Sequence, residues 1–150
     1  MIPLGFRLRL RRRDDGRAIV EFLVVGLLLL VPVVYFIVTL SRVQAAAFAV
    51  STASREAGRA FTTATTEEDA YARAQAAARI SFEDFDFGAD GGVQLRCDGS
   101  PCLRPEGRVE AVATVTVRLP LIPDVLSGAI PAAVPVSATH VARVDRFRGP

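Results

Sequence analysis

The sequence contains no lysine: all 18 of its basic residues are arginine, a compositional bias that carries no functional information. It has one histidine, His140, and two cysteines, Cys97 and Cys102. A hydrolase built on His140 would need a serine and an acid beside it, and no nucleophile elbow or other strand-turn-helix signature is present. Two cysteines with four residues between them are not a CxxC redox centre, and without nearby histidines they make a poor zinc site. No phosphate-binding loop, dinucleotide fingerprint or HExxH occurs. The expectation is a protein without cofactor, without metal and without enzymatic activity. Basic charge is also missing from most of the chain. Residues 1–16 hold five arginines and two aspartates, whereas the remainder carries 13 arginines against 14 acidic residues. A nucleic-acid partner would require a basic stripe on the folded part, so none is expected. At 150 residues there is room for one modest domain and no large cleft enzyme.

What the chain does have is a long apolar run. Residues 22–40, FLVVGLLLLVPVVYFIVTL, are uncharged and match the roughly 20 residues a helix needs to cross about 30 Å of hydrocarbon. Pro32 removes one backbone hydrogen bond and predicts a bend, which membrane helices tolerate. Arg7, Arg9, Arg11, Arg12, Arg13 and Arg17 precede the run and Arg42 alone follows it closely. The positive-inside rule then predicts a single-pass protein of the cell membrane, N-terminus cytoplasmic, with residues 41–150 exported. The alternative is a cleaved signal peptide. Against it stand the length of the run and the absence of a small-residue cleavage site directly after it, although Ala45-Ala46-Ala47 lies near.

Glu21 sits at the head of this run. Deep in lipid a carboxylate costs about 2–3 kcal/mol and needs a partner; near the interface, at a helix N-terminus, it needs none. The surrounding Gly16-Arg17-Ala18-Ile19-Val20-Glu21-Phe22 places a glycine five residues before the glutamate, between a basic leader and an apolar helix. That junction resembles the processing site of prepilin-like proteins. Further on, Ala53-Ser54-Arg55-Glu56-Ala57-Gly58-Arg59-Ala60 is similar to a small-residue helix of the TadE-like pseudopilins of tight-adherence (Flp) pilus systems. Ala18-Ile19-Val20-Glu21-Phe22 resembles that family's AxVEF signature, with Pro32 where the family often has a proline. Residues 115–120 and 136–141 resemble its closing β-hairpin. The resemblance implies cleavage by a prepilin peptidase between Gly16 and Arg17. It also implies a role for Glu21 and Phe22 in subunit register, Glu21 pairing with a neighbour's new terminal amine in low dielectric. The implied partners are membrane lipid, other pilin-like subunits and pilus assembly platform proteins. Arg17, directly after the glycine, departs from the smaller residue commoner there.

The rest reads as an α+β body. Val43, Ala47, Val50, Ser54, Ala57 and Phe61 recur at steps of four and three and predict one helical face continuing the apolar helix. Residues 62–66, TTATT, break the pattern, and Thr65 with Glu68 predicts a capping box for a second helix to about Ile80, with Asp69 and Arg73 paired one turn apart. Val109, Ala111, Ala113, Val115, Val117 and Leu119 alternate with polar residues and predict a strand buried on one face. Residues 134–144 and 93–97 give two more candidates. The expected organisation is a basic leader at 1–16, a transmembrane helix at 17–40, an exported helical region at 41–87 and a small antiparallel β domain at 88–150, a pilin-like layout.

Cys97 and Cys102 enclose Asp98-Gly99-Ser100-Pro101, a turn sequence, and in an exported body they predict a disulfide contributing roughly 2 kcal/mol. Glu83, Asp84, Asp86 and Asp90 cluster around Gly88 in a weak likeness to a calcium loop. The twelfth position, which requires glutamate, is Leu95, so a solvated acidic turn with Phe85 and Phe87 facing the core is expected. His140 falls on the face of Ala138 and Ala142, and a hydrogen-bonded structural role is expected. The apolar connection at 120–131 is free to cover a sheet edge or to rest on a membrane surface. The functional expectation is a minor pilin or pseudopilin acting through assembly. A membrane-anchored binding or scaffold module of the cell envelope and an exported hydrolase using His140 are its rivals.

Overall fold

The computed structural model describes residues 14–119 and 133–147. Residues 1–13 of the basic leader and the connection at 120–131 fall outside them. The chain divides into two compact units, Met1–Val38 and Thr39–Pro150.

Helix α1 runs Asp14–Thr62, 49 residues without interruption, Pro32 included. Threonine hydroxyls bond its last carbonyls: Thr62 Oγ1 donates to Gly58 O at 3.1 Å and Thr63 Oγ1 to Arg59 O at 3.0 Å. Such back-bonding gives the terminal carbonyls partners that continuing the helix would otherwise supply. Helix α2, Glu67–Glu83, starts one residue later than the expected capping box. Thr66 is the cap, in extended conformation, and its Oγ1 accepts from Asp69 N at 3.2 Å. Position three therefore belongs to Asp69 and not Glu68, and Asp69 turns its carboxylate to Arg73 at 2.7 Å, the predicted pair. Glu67, Glu68 and Asp69 together favour the positive end of the helix.

Helix α2 also outlasts the expected end at Ile80, because its stop lies in the acidic turn. Phe87 N donates to Phe82 O at 2.8 Å and Asp86 N to Glu83 O at 3.1 Å, with Asp86 at φ 62. This is a Schellman arrangement in which aspartate takes the left-handed position that glycine usually fills. Phe82 and Phe87, both buried, provide the accompanying apolar contact. Asp86 is thus a helix-terminating residue. Phe85 is half-buried against the same core.

Strands β1 (Gly91–Cys97), β2 (Arg108–Arg118) and β3 (Ala133–Arg143) form an antiparallel sheet in the order β1-β2-β3. The register sets Val93 opposite Ala113 and Leu95 opposite Ala111, and across the other edge Ala111 opposite His140 and Val115 opposite Val136. On β2 the predicted alternation holds: Val109, Ala111, Ala113, Val115 and Val117 are all buried.

These five side chains meet the helices of the second unit through small residues. On α1 the buried face is Ala46, Ala49, Val50, Ala53, Ser54, Ala57 and Phe61. Ala47, expected on that face, is exposed; Ala46 takes its place, since a step of four from Ala46 reaches Val50 and stays in line with the sheet. On α2 the buried residues Ala70, Ala74, Ala78 and Phe82 repeat every four. The alanine stripe lets backbones come close, and Gly58 shows how close: a Cβ there would lie 3.0 Å from Ala142 Cβ and 3.3 Å from His140 Cδ2. Gly91 is tighter still, its position for a Cβ falling 2.4 Å from the Phe82 ring. Neither glycine has a positive φ, so both are there for space.

Candidate membrane anchor and processing junction

Along residues 19–37 of the first unit most of the large apolar side chains are exposed. Leu23, Val24, Leu27, Leu28, Leu30 and Phe36 are exposed, Leu28 to 74%. The described residues contain one helix long and apolar enough to cross a membrane, with none of its most apolar window buried. A core helix of a water-soluble fold would bury such a window.

The expected processing residues sit at the start of α1. Gly16 and Arg17 lie in its first turns and are exposed. A Cβ on Gly16 would meet nothing within 4 Å, so packing among the described residues does not account for the glycine. A helical glycine costs about 1 kcal/mol relative to alanine, and near a terminus it favours local unwinding. Glu21 and Phe22 follow on the same helix, both exposed, Phe22 to 76%. Among the described residues, Glu21 has no ion-pair partner.

Cys97 and Cys102 form a disulfide with Cα atoms 5.4 Å apart. The β1–β2 connection it closes is held from several sides. Glu67 Oε1 accepts from Cys102 N, and the Tyr71 hydroxyl lies 3.8 Å from Cys102 Sγ. Tyr71 in turn meets the Phe61 ring edge-on, with centroids 5.0 Å apart. The connection thereby ties the first turns of α2 to the end of α1, a role that no spacing in the sequence announced. Asp98 Oδ1 accepts from Arg108 N at 3.1 Å and pairs with Arg104 Nη2 at 2.9 Å. The bond from Arg108 N, followed by the charge of Arg104, holds the Asp98 carboxyl below its ordinary value.

The acidic residues after α2 do not converge. Asp90 pairs with Arg118 at 3.4 Å, Glu83 with Arg79 at 3.6 Å, and Asp86 makes the helix stop described above. Among the described residues no three His, Cys, Asp or Glu side chains are grouped to hold a metal ion. His140 is half-buried beside Gly58 on the core side of β3. The expected hydrogen bond is not made to any described residue; the ring packs sideways against the helix, where the missing Gly58 side chain leaves it room.

Comparison with known protein families, with curated proteins and with solved structures finds no match.

Proposed function

We propose that this chain is a minor pilin or pseudopilin of the TadE-like kind, a structural subunit of a tight-adherence pilus or related secretion assembly. Residues 22–40 hold it in the cell membrane, the N-terminus is cytoplasmic and the α+β body is exported. The observation that carries the reading is the change of packing along α1. Its apolar stretch exposes large side chains, while from Ala46 onward the same helix supplies the core of the body. Cleavage near Ala45-Ala46-Ala47 would cut through that core, since Ala46 and Ala49 are fully buried, and this favours a permanent anchor over a signal peptide.

Two further features support assembly. Gly16, unpacked among the described residues, suits recognition by a prepilin peptidase that cuts before Arg17, and Glu21, with no ion-pair partner among them, suits a neighbour's freed amine. The test is N-terminal sequencing of the native product with fractionation of membranes. A membrane-bound product beginning at Arg17 agrees with the proposal. An intact leader on a membrane-bound monomer favours the binding or scaffold module instead. A soluble product beginning near Ala47 overturns both. In a strain making the assembly, Glu21→Ala should leave membrane insertion intact and reduce incorporation at least tenfold.

A further inference from the structure

The arginines of the second unit differ in their partners. Arg59, Arg73, Arg79, Arg104 and Arg118 each pair with a carboxylate. At the corner where β2 begins and β3 ends, Arg108, Arg143 and Arg146 are exposed, and none of them forms an ion pair among the described residues. The register sets Arg108 directly opposite Arg143. Val144 N donates to Gly107 O at 2.9 Å, so residues 107 and 144 are a hydrogen-bonded pair. Arg108 and Arg143 are therefore a non-bonded pair, the kind whose Cα atoms are only about 4.5 Å apart. Both side chains leave the face opposite the core, since Val109 and Ala142 beside them are buried. Two like charges so placed oppose folding.

The described residues set no carboxylate between them. Glu106 lines the same hollow of about 290 Å³, together with Arg108, Arg143, Val144 and Arg146, without pairing with any of the three. Glu110, opposite Val141 on the same face, does not pair with them either. Asp98 is engaged by Arg104 and by Arg108 N, and Asp145 Oδ1 accepts from Phe147 N at 2.8 Å. Of the remaining chain, residues 1–13 and 148–150 contain no acidic side chain, and 120–132 contain Asp124 alone. Asp124 is five residues past Leu119, at most about 18 Å of chain, whereas Arg108 stands eleven residues back, about 36 Å along the strand. Asp124 is out of reach.

Two details define what the hollow accepts. The Arg146 guanidinium lies over the Phe147 ring, 4.7 Å from its centroid, which restrains one cation at the rim. Glu106 has φ 59, in the left-handed region that favours glycine, and yet brings a carboxylate to the lining. Three cations and one anion leave two positive charges. A planar carboxylate matches the guanidinium fork, and an N–H beside it satisfies Glu106 as well. A peptide offers both groups, whereas a phosphate monoester brings nearly two negative charges to a site that already holds one. We propose that Arg108, Arg143 and Arg146 bind a carboxylate on a peptide segment of another protein, with Glu106 accepting from an amide N–H next to it. The carboxylate sits between the facing arginines and removes their repulsion. Either a terminal carboxylate or an acidic side chain supplies this chemistry. The site lies within the second unit and does not depend on the pilin reading.

The test uses the full-length chain in detergent, with isotope-labelled arginine and the Nε–H resonances followed by NMR. The probes are an N-acetylated peptide with a free terminal carboxylate, a peptide amide with one glutamate, the same amide with glutamine in its place, and inorganic phosphate. The expected result is a joint, saturable shift of Arg108, Arg143 and Arg146 with a carboxylate peptide, at least tenfold tighter than with the glutamine peptide. Which of the two carboxylate peptides binds identifies the source of the group. Arg108→Gln and Arg143→Gln should each weaken binding at least fivefold while raising the Tm of the free body by about 1–5 °C, because the like-charge pair is gone. Glu106→Gln should strengthen phosphate binding at least threefold. A Tm lowered by either arginine variant gives the pair a structural role and overturns the proposal. So does equal binding of the glutamine peptide, tighter binding of phosphate or of a single-stranded oligonucleotide, or no saturable shift with any probe. Peptide binding that appears only after residues 148–150 are removed makes the chain's own end the occupant, and also overturns it.

Discussion

The first and second parts of α1 are built by opposite rules. Between residues 19 and 40 most side chains are large, apolar and exposed, while beyond Ala46 the buried ones are mostly alanine, with Val50 and Phe61 as the larger exceptions. A helix packing against a sheet does best with small residues that let the backbones approach, and a helix with no protein neighbour gains nothing from being small. Large apolar side chains in contact with water would carry a cost the sequence could easily have avoided. Over nineteen consecutive uncharged residues they make this stretch long and apolar enough to cross a membrane.

The comparison breaks most visibly at Phe61 and Leu28. Phe61 is fully buried and stacked edge-on against Tyr71, so Phe61→Ala should destabilise the body by about 3–5 kcal/mol, enough to threaten folding of a marginal domain. Leu28→Ala, at a 74% exposed position, should leave the body's thermal transition within about 0.5 kcal/mol of wild type. Denaturant titration of both variants in the same detergent checks this. Equal losses would mean that the apolar stretch packs on the body.

Two glycines sharpen the contrast. Gly58→Leu forces atoms into the 3.0 Å approach to Ala142 and should cost about 2–3 kcal/mol. Gly26→Leu, where a Cβ meets nothing within 4 Å, should be neutral to the body and retain membrane extraction behaviour. A large effect at Gly26 measured only in the assembled state would locate a helix neighbour there.

These glycines also show what the sequence made legible and what it hid. Period-two alternation on β2 and the apolar run were readable because each follows from one element's own geometry. The disulfide was readable from its turn residues. The true cap of α2 was missed by one residue because both Thr65 and Thr66 are cap-forming residue types, and it is Thr66 Oγ1 that accepts from Asp69 N. Asp86 as a helix stop was obscured because glycine usually fills the left-handed position, and Gly88 stands two residues further on. Gly58, Gly91 and the Tyr71 contact depend on elements distant in sequence, and no local spacing encodes them.

The hairpin offers a milder perturbation. Replacing both Cys97 and Cys102 with serine should lower stability by roughly 2 kcal/mol, visible as a lower Tm of the body, with no change in membrane association. Association that fell together with the Tm would mean that the anchor depends on the body's fold.

The smallest effect concerns pH and belongs to the second unit alone. Asp98 accepts from Arg108 N and pairs with Arg104, and both interactions favour its ionised form, holding the carboxyl below the ordinary 3.8. A carboxyl with a lower pKa folded than unfolded contributes stability above the unfolded value, and that contribution disappears as pH falls through the folded one. Acidification from neutrality should therefore weaken the β1–β2 connection only at the lower end of the carboxylate range. Asp98→Asn should flatten that acid limb while changing the neutral-pH Tm little, because the amide oxygen can still accept from Arg108 N. A carboxyl-carbon NMR titration placing Asp98 at or above 3.8 would remove the basis for the effect. The limb should be unchanged by substitutions between residues 22 and 40, which hold no carboxylate side chain, so a shift on Leu28→Ala would show the two units to be coupled through something other than the hairpin.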